Sequence, residues 1–164
     1  MVSPCALLTK GHDAWDASGV AVSGNMTNAA VAYAPRPTDA EPTLLTMTFV
    51  APCPGVLVAA VRGELDLASA PELDTKVRAE LHRHRPRSLV LDLSGLEFLG
   101  VHGTAVFERL RRRCAVSEIR LSLVAVPPAG ERALRFAGLL TRFDRHPDLG
   151  AALAAAGHVT DRAR

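Results

Sequence analysis

Leu45, Met47 and Phe49 alternate with Thr46 and Thr48, the period of two that gives a strand one core face and one polar face. Val56-Leu57-Val58-Ala59-Ala60-Val61 makes a second strand. Between them Ala51-Pro52-Cys53-Pro54-Gly55 is turn chemistry, and so short a connection favours an antiparallel hairpin. Gly63-Glu64-Leu65-Asp66 ends that strand. A helix then starts at Ser69, with Glu72 three residues on forming a capping box and Pro71 tolerated in the first turn. Ala70, Leu73, Val77 and Leu81 recur at helical spacing on one face, while Glu72, Asp74, Lys76, Arg78 and Glu80 fall on the others. Pro86 closes the segment.

A third strand is expected over Ser88–Leu93, with Leu89-Val90-Leu91 as its buried run. It leads through Asp92-Leu93-Ser94-Gly95 and Leu96-Glu97-Phe98-Leu99 to a turn and a helix opening at Gly103. Ser94 reads as turn chemistry after the strand. Val106, Phe107, Leu110 and Cys114 form the apolar face of that helix. Ile119, Leu121 and Leu123 alternate with Arg120 and Ser122 as a fourth strand. Pro127-Pro128 starts a third helix carrying Ala133, Leu134 and Ala137, with Gly138 as its C-cap. A last short helix is expected over roughly Pro147–Ala156. An initial hairpin followed by alternating strands and helices predicts an α/β fold: a mixed, largely parallel sheet of about four strands packed against about four helices.

Residues 1–42 differ from the rest, being rich in Ala, Ser, Gly, Thr, Asn and Pro and ending in Ala34-Pro35-Arg36-Pro37-Thr38-Asp39-Ala40-Glu41-Pro42. Such a composition buries little and reads as a disordered or weakly ordered arm; a translation start nearer Met47 is the alternative left open. The folded domain is expected over residues 43–157, with 158–164 as a tail.

A chain of 164 residues with 48% hydrophobic and 22% charged residues is ordinary for a single soluble domain. The net charge of +2 gives no global electrostatic case for nucleic acid or an anionic membrane. Cys5, Cys53 and Cys114 follow no metal-ligand spacing and suggest no disulfide framework, so a reducing cytoplasm is the simplest compartment. No apolar run approaches the roughly 20 residues of a membrane helix, and no signal peptide is expected. The histidines form no H-x-x-x-H or H-E-x-x-H pair, and Gly95, Gly100 and Gly103 make no G-x-G-x-x-G loop. Glu64, Asp66 and Asp92 lack a legible nucleophile or substrate pocket beside them. No catalytic residue, metal or cofactor is therefore assigned, and the chain is expected not to be an enzyme. Two basic clusters, His82-Arg83-His84-Arg85 with Arg87 and Arg109 with Arg111-Arg112-Arg113, fall at predicted helix C-termini, where cations favour the dipole.

The stretch from Asp92 resembles the signature of the STAS domain, the fold of bacterial anti-sigma-factor antagonists, which reads D-L-S-x-x-x-F-[ML]-D-S-[ST]-G. The match runs from Asp92 to Leu99 and resumes at Gly103; Gly63-Glu64-Leu65-Asp66 also resembles the family's G-E-L-D motif. The resemblance implies a STAS-like sheet and the role of an anti-sigma factor antagonist. Such a module binds an anti-sigma factor of the serine-kinase type and so regulates sigma-factor-dependent transcription. In typical members the serine after the Asp is phosphorylated by that kinase, and the added charge blocks binding. Here Gly100-Val101-His102 replaces Asp-Ser-Ser/Thr, so Val101 stands at the acceptor position and carries no hydroxyl. Binding that phosphorylation does not switch is the expectation. The partner-binding residues so implied are Glu64, Asp66, Leu99, Gly100, Val101, His102, Gly103 and Thr104, with Leu99 and Val101 as the apolar centre. Thr104 reads first as a helix-start residue bonding a local backbone group, and second as a displaced phospho-acceptor. His102 reads as a polar surface residue, with pH sensing as the alternative. The rival function is a divergent STAS scaffold subunit of a larger signalling or transport assembly.

Overall fold

A computed structural model describes residues 45–161, with side chains through Ala156; the expected arm over 1–42 lies outside the described residues. Strand β1 (Leu45–Cys53) turns at Gly55, whose φ is 79°, into β2 (Val56–Leu65), and the two pair antiparallel. Then follow α1 (Ala70–His84), β3 (Ser88–Leu99), α2 (Val101–Val116) and β4 (Arg120–Val124). Helix α3 (Pro128–Phe136), a 3-10 turn (Leu140–Arg142), β5 (Asp144–His146) and α4 (Leu149–Asp161) complete the chain. The sheet order is β1-β2-β3-β4-β5, and every pair after the hairpin is parallel. This is the expected α/β architecture with one strand more than the pattern suggested.

The period of two along each strand sorts the core into two layers. Leu57, Ala59, Val61, Leu89, Leu91, Leu93, Leu121 and Leu123 meet Leu73, Val77, Phe107, Leu110 and Leu134 of α1, α2 and α3. Val56, Val58, Val90 and Val124 face the other way, onto Ala152, Leu153 and Ala156 of α4. Helix α3 ends as expected at Gly138, which has φ 67°. Its N–H reaches the Arg135 carbonyl while Leu139 N–H reaches Leu134, the paired bonds of a Schellman motif.

Several boundaries differ from the sequence expectation. Strand β3 does not stop at Leu93. The Ser94 N–H donates to Asp92 Oδ1 at 3.0 Å, and the β2–β3 register slips between Ala60 and Arg62. A bulge thus absorbs the turn-forming residues without ending the strand, and Ser94 belongs to β3 rather than to a turn after it. Helix α2 opens at Val101, two residues before Gly103. Ser69 makes no capping bond into α1; its hydroxyl lies 2.9 Å from the Glu64 carbonyl and accepts the Asp66 N–H. Helix α4 continues past Ala156 to Asp161. Strand β5 was invisible because Asp144-Arg145-His146 carries no apolar residue. Cys114 is a buried free thiol, whereas Cys53 is disulfide-bonded, which three scattered cysteines did not suggest.

One consequence positions the site. Strand β4 pairs with β3 only as far as Asp92 with Val124. The remainder of β3, to Leu99, pairs with β2 alone and projects past the rest of the sheet.

Candidate partner-docking site

The projecting end of β3 carries a second register slip, between Gly63 and Glu64, which leaves Glu97 unpaired against β2. An extra residue in a strand reverses the side-chain alternation beyond it. Leu96 points into the core, Glu97 and Phe98 both point out, and Leu99 returns inward. Phe98 is 49% exposed and Leu99 only 6%.

The turn into α2 is tied to β2. Gly100 N–H donates to the Leu65 carbonyl at 2.8 Å, closing the end of the two-stranded projection. Gly103 lies against the same point: a Cβ there would stand 2.6 Å from Leu99 Cδ1 and 2.8 Å from the Leu65 carbonyl oxygen. Only glycine lets the first turn of α2 approach β2 this closely. Thr104 is 5% exposed, and its hydroxyl donates to the Val101 carbonyl at 2.6 Å. It is the helix-start residue of the first reading, and its oxygen is engaged and covered, which does not suit a displaced phospho-acceptor. Val101, by contrast, is 81% exposed, and His102 is exposed beside it.

Across the gap, Asp66 holds its own turn together. Its Oδ1 accepts the Ala68 N–H at 2.9 Å and the Ser69 N–H at 3.0 Å, and lies 3.1 Å from the Ser69 hydroxyl. The Ser69 N–H and then its hydroxyl lower the Asp66 carboxyl below its ordinary value. The turn leaves Leu67 outward, 64% exposed. A Cβ on Gly100 would stand 3.3 Å from the Phe98 ring and 3.6 Å from the Asp66 Cα, so these residues adjoin. Glu64, half-buried, lies at the end of β2 opposite Phe98.

The residues singled out in the sequence therefore gather at one end of the molecule, in two tiers. Gly100, Val101 and His102 form the outer tier with Glu64 and Asp66 at its margin. Leu99, Gly103 and Thr104 lie beneath, and Leu99 cannot be an apolar contact because it is part of the core. The apolar side chains exposed beside it are instead Phe98 and Leu67, which the sequence reading did not single out. Nothing in the apolar period identifies Phe98, since the bulge at Glu97 sets which way it faces. Helix α2 has no side-chain N-cap and no acidic residue in its first turn. The surface at its start is apolar, with His102 exposed beside Val101. Among the described residues no cluster of ligating side chains could hold a metal, and no helix is long and apolar enough to cross a membrane.

The STAS domain family model matches residues 52–152, which include both motifs. Anti-sigma-F factor antagonist RsfB of Mycobacterium tuberculosis is 33% identical over 98 residues, 60% of this chain and 78% of that protein. Among solved structures, an anti-sigma factor antagonist from Mycobacterium paratuberculosis is 32% identical with a TM-score of 0.62, covering 71% of this chain and 97% of that one. RsbS from Moorella thermoacetica shares the fold at a TM-score of 0.62 and 20% identity, covering 70% of this chain and 97% of that one.

Proposed function

The chain belongs to the STAS domain family, and from that premise we infer that it is an anti-sigma factor antagonist. It is a protein-interaction module, not an enzyme. It binds an anti-sigma factor and releases the sigma factor that this partner holds, so regulating sigma-factor-dependent transcription. The partner is of the serine-kinase type and docks on the Phe98–His102 ridge, flanked by Leu67 and the end of β2.

One observation carries this reading: Val101, at the position where the family signature has its serine, stands 81% exposed on the ridge. A valine held out in water costs solvation and contributes nothing to the core. Covered by a partner, Val101 and Phe98 supply the kind of apolar centre from which water exclusion draws affinity. The same substitution removes the switch. A phosphate adds about −1.5 to −2 charges at such a site, but Val101 has no oxygen to receive one, and Gly100 has no carboxylate beside it.

Binding is therefore persistent, and its control lies in the amount of protein or in the partner. A cytoplasmic location belongs to this reading, because sigma factors act where transcription occurs.

Incubation of the purified pair with labelled ATP tests the proposal. No label is expected in the peptide spanning residues 99–104, and the complex survives the incubation. Gly100→Asp with Val101→Ser rebuilds the acceptor and is expected to become labelled. Label at 99–104 in the unaltered chain would refute the reading, as would failure of any serine-kinase anti-sigma factor to bind.

A further inference from the structure

The end of the molecule opposite the ridge, where α1, α2 and α3 finish and β3, β4 and β5 begin, is rich in arginine. The Arg120 N–H donates to the Arg87 carbonyl at 2.9 Å, which sets these two residues side by side at the start of neighbouring strands. Arg85, two residues before Arg87, caps α1 with φ 45°. None of the three forms an ion pair among the described residues. Beside them opens a cleft of about 370 Å³, with Arg111, Arg120 and Arg142 among its lining and buried Cys114 and Leu121 at its floor.

We propose that this arginine-rimmed cleft is a second docking surface, which takes a net-acidic, partly apolar segment of another protein. The helix dipole accounts for His82, Arg83 and Arg113, which lie in the last turns of α1 and α2. It does not account for Arg87 and Arg120, which precede or begin strands. Arg111 and Arg142 both face Glu108, leaving Arg120 in the lining, with Arg87 beside it on the neighbouring strand, as cations without an ion pair among the described residues. The lining also contains Glu118 and Asp144. Those carboxylates disfavour a uniform polyanion such as nucleic acid or a phosphatidylserine surface, whereas a protein segment can place its own charges around them. The apolar floor calls for a hydrophobic side chain between the acidic ones. Because the cleft and the ridge lie at opposite ends, a segment bound here leaves the anti-sigma site free.

The probe is a fluorescein-labelled peptide of repeated Leu-Asp-Glu triplets, titrated onto the full chain by anisotropy and mapped by amide chemical shifts. Saturable binding is expected, with the largest shifts at Ile119, Arg120 and Leu121 and none over residues 98–104. Arg87→Glu with Arg120→Glu should weaken it at least about tenfold, and Val101→Glu should leave it unchanged. Should the charge-reversed variant fold poorly, Arg87→Gln with Arg120→Gln gives the same comparison with a smaller loss. The proposal is overturned by absence of saturable binding, by shifts confined to the ridge, or by equal affinity in the arginine variants. It is equally overturned if a single-stranded oligonucleotide of about 20 bases, or phosphatidylserine vesicles, bind the same arginines more tightly than the peptide.

Discussion

At Gly103 an added methyl group would meet both a movable side chain, Leu99, and a fixed backbone atom, the Leu65 carbonyl oxygen at 2.8 Å. The side chain can yield and the carbonyl cannot without loosening β2 from the turn. Gly103→Ala is accordingly expected to cost about 1–3 kcal/mol in chemical denaturation, despite alanine's better helix propensity. Gly100→Ala is tight only against the edge of the half-exposed Phe98 ring at 3.3 Å, its other contacts at 3.6 Å being ordinary, and should cost under about 1 kcal/mol. Equal stability of the two variants would contradict the close approach of α2 to β2. One residue beyond Gly103, beneath the ridge, Thr104 spends its hydroxyl on the Val101 carbonyl. Val101 itself is an exposed apolar side chain with no hydroxyl, and the proposed docking on the ridge rests on it.

Among the elements, helix α2 shows how local charge stabilises what the ridge stands on. Glu108 accepts hydrogen bonds from Arg111 at 2.8 and 3.0 Å and from Arg112 at 2.8 Å, with Arg142 at 3.9 Å. Those hydrogen bonds, Arg111 first, hold its carboxyl down at about 2 against an ordinary 4.5. Because the folded value is the lower one, the contribution is fully present above about 4.5 and fades as pH falls toward about 2. With solvent screening it is about 1 kcal/mol. Glu108→Gln should lower stability by that amount at neutral pH and by progressively less as pH falls from about 4.5 through about 2, read from denaturation midpoints across the range. A pH-independent difference would show that packing, not charge, was lost.

The same elements show what the sequence could disclose. Apolar periodicity located β1, β2, β4, α1, α2 and α3 because each buries one face or both. Strand β5 has no apolar residue to signal it. The reach of β3 was hidden because Asp92, Ser94 and Gly95 are turn-forming residues, and only the partner strand decides that they form a bulge instead. The identity of the loop was legible in its motif, but its relief was not. Leu99 and Phe98 are neighbours of similar hydrophobicity, and the unpaired Glu97 sends one inward and the other out.

At the scale of the whole molecule, four parallel strands and their returning helices separate two ends of unlike chemistry. One end, lifted above the sheet by the β2–β3 projection, is apolar where α2 begins. The other gathers arginines where the helices finish. A protein built this way can engage a partner at its raised end without any chemical change in itself. The affinity of the full chain for the proposed partner, a serine-kinase anti-sigma factor, measured for the unaltered protein and for Val101→Glu, tests this most directly. A carboxylate on the ridge should weaken binding at least about tenfold, while prior incubation of the unaltered protein with kinase and ATP leaves its affinity unchanged. Equal affinity of the two proteins, or loss of affinity in the unaltered chain after incubation, would contradict the account.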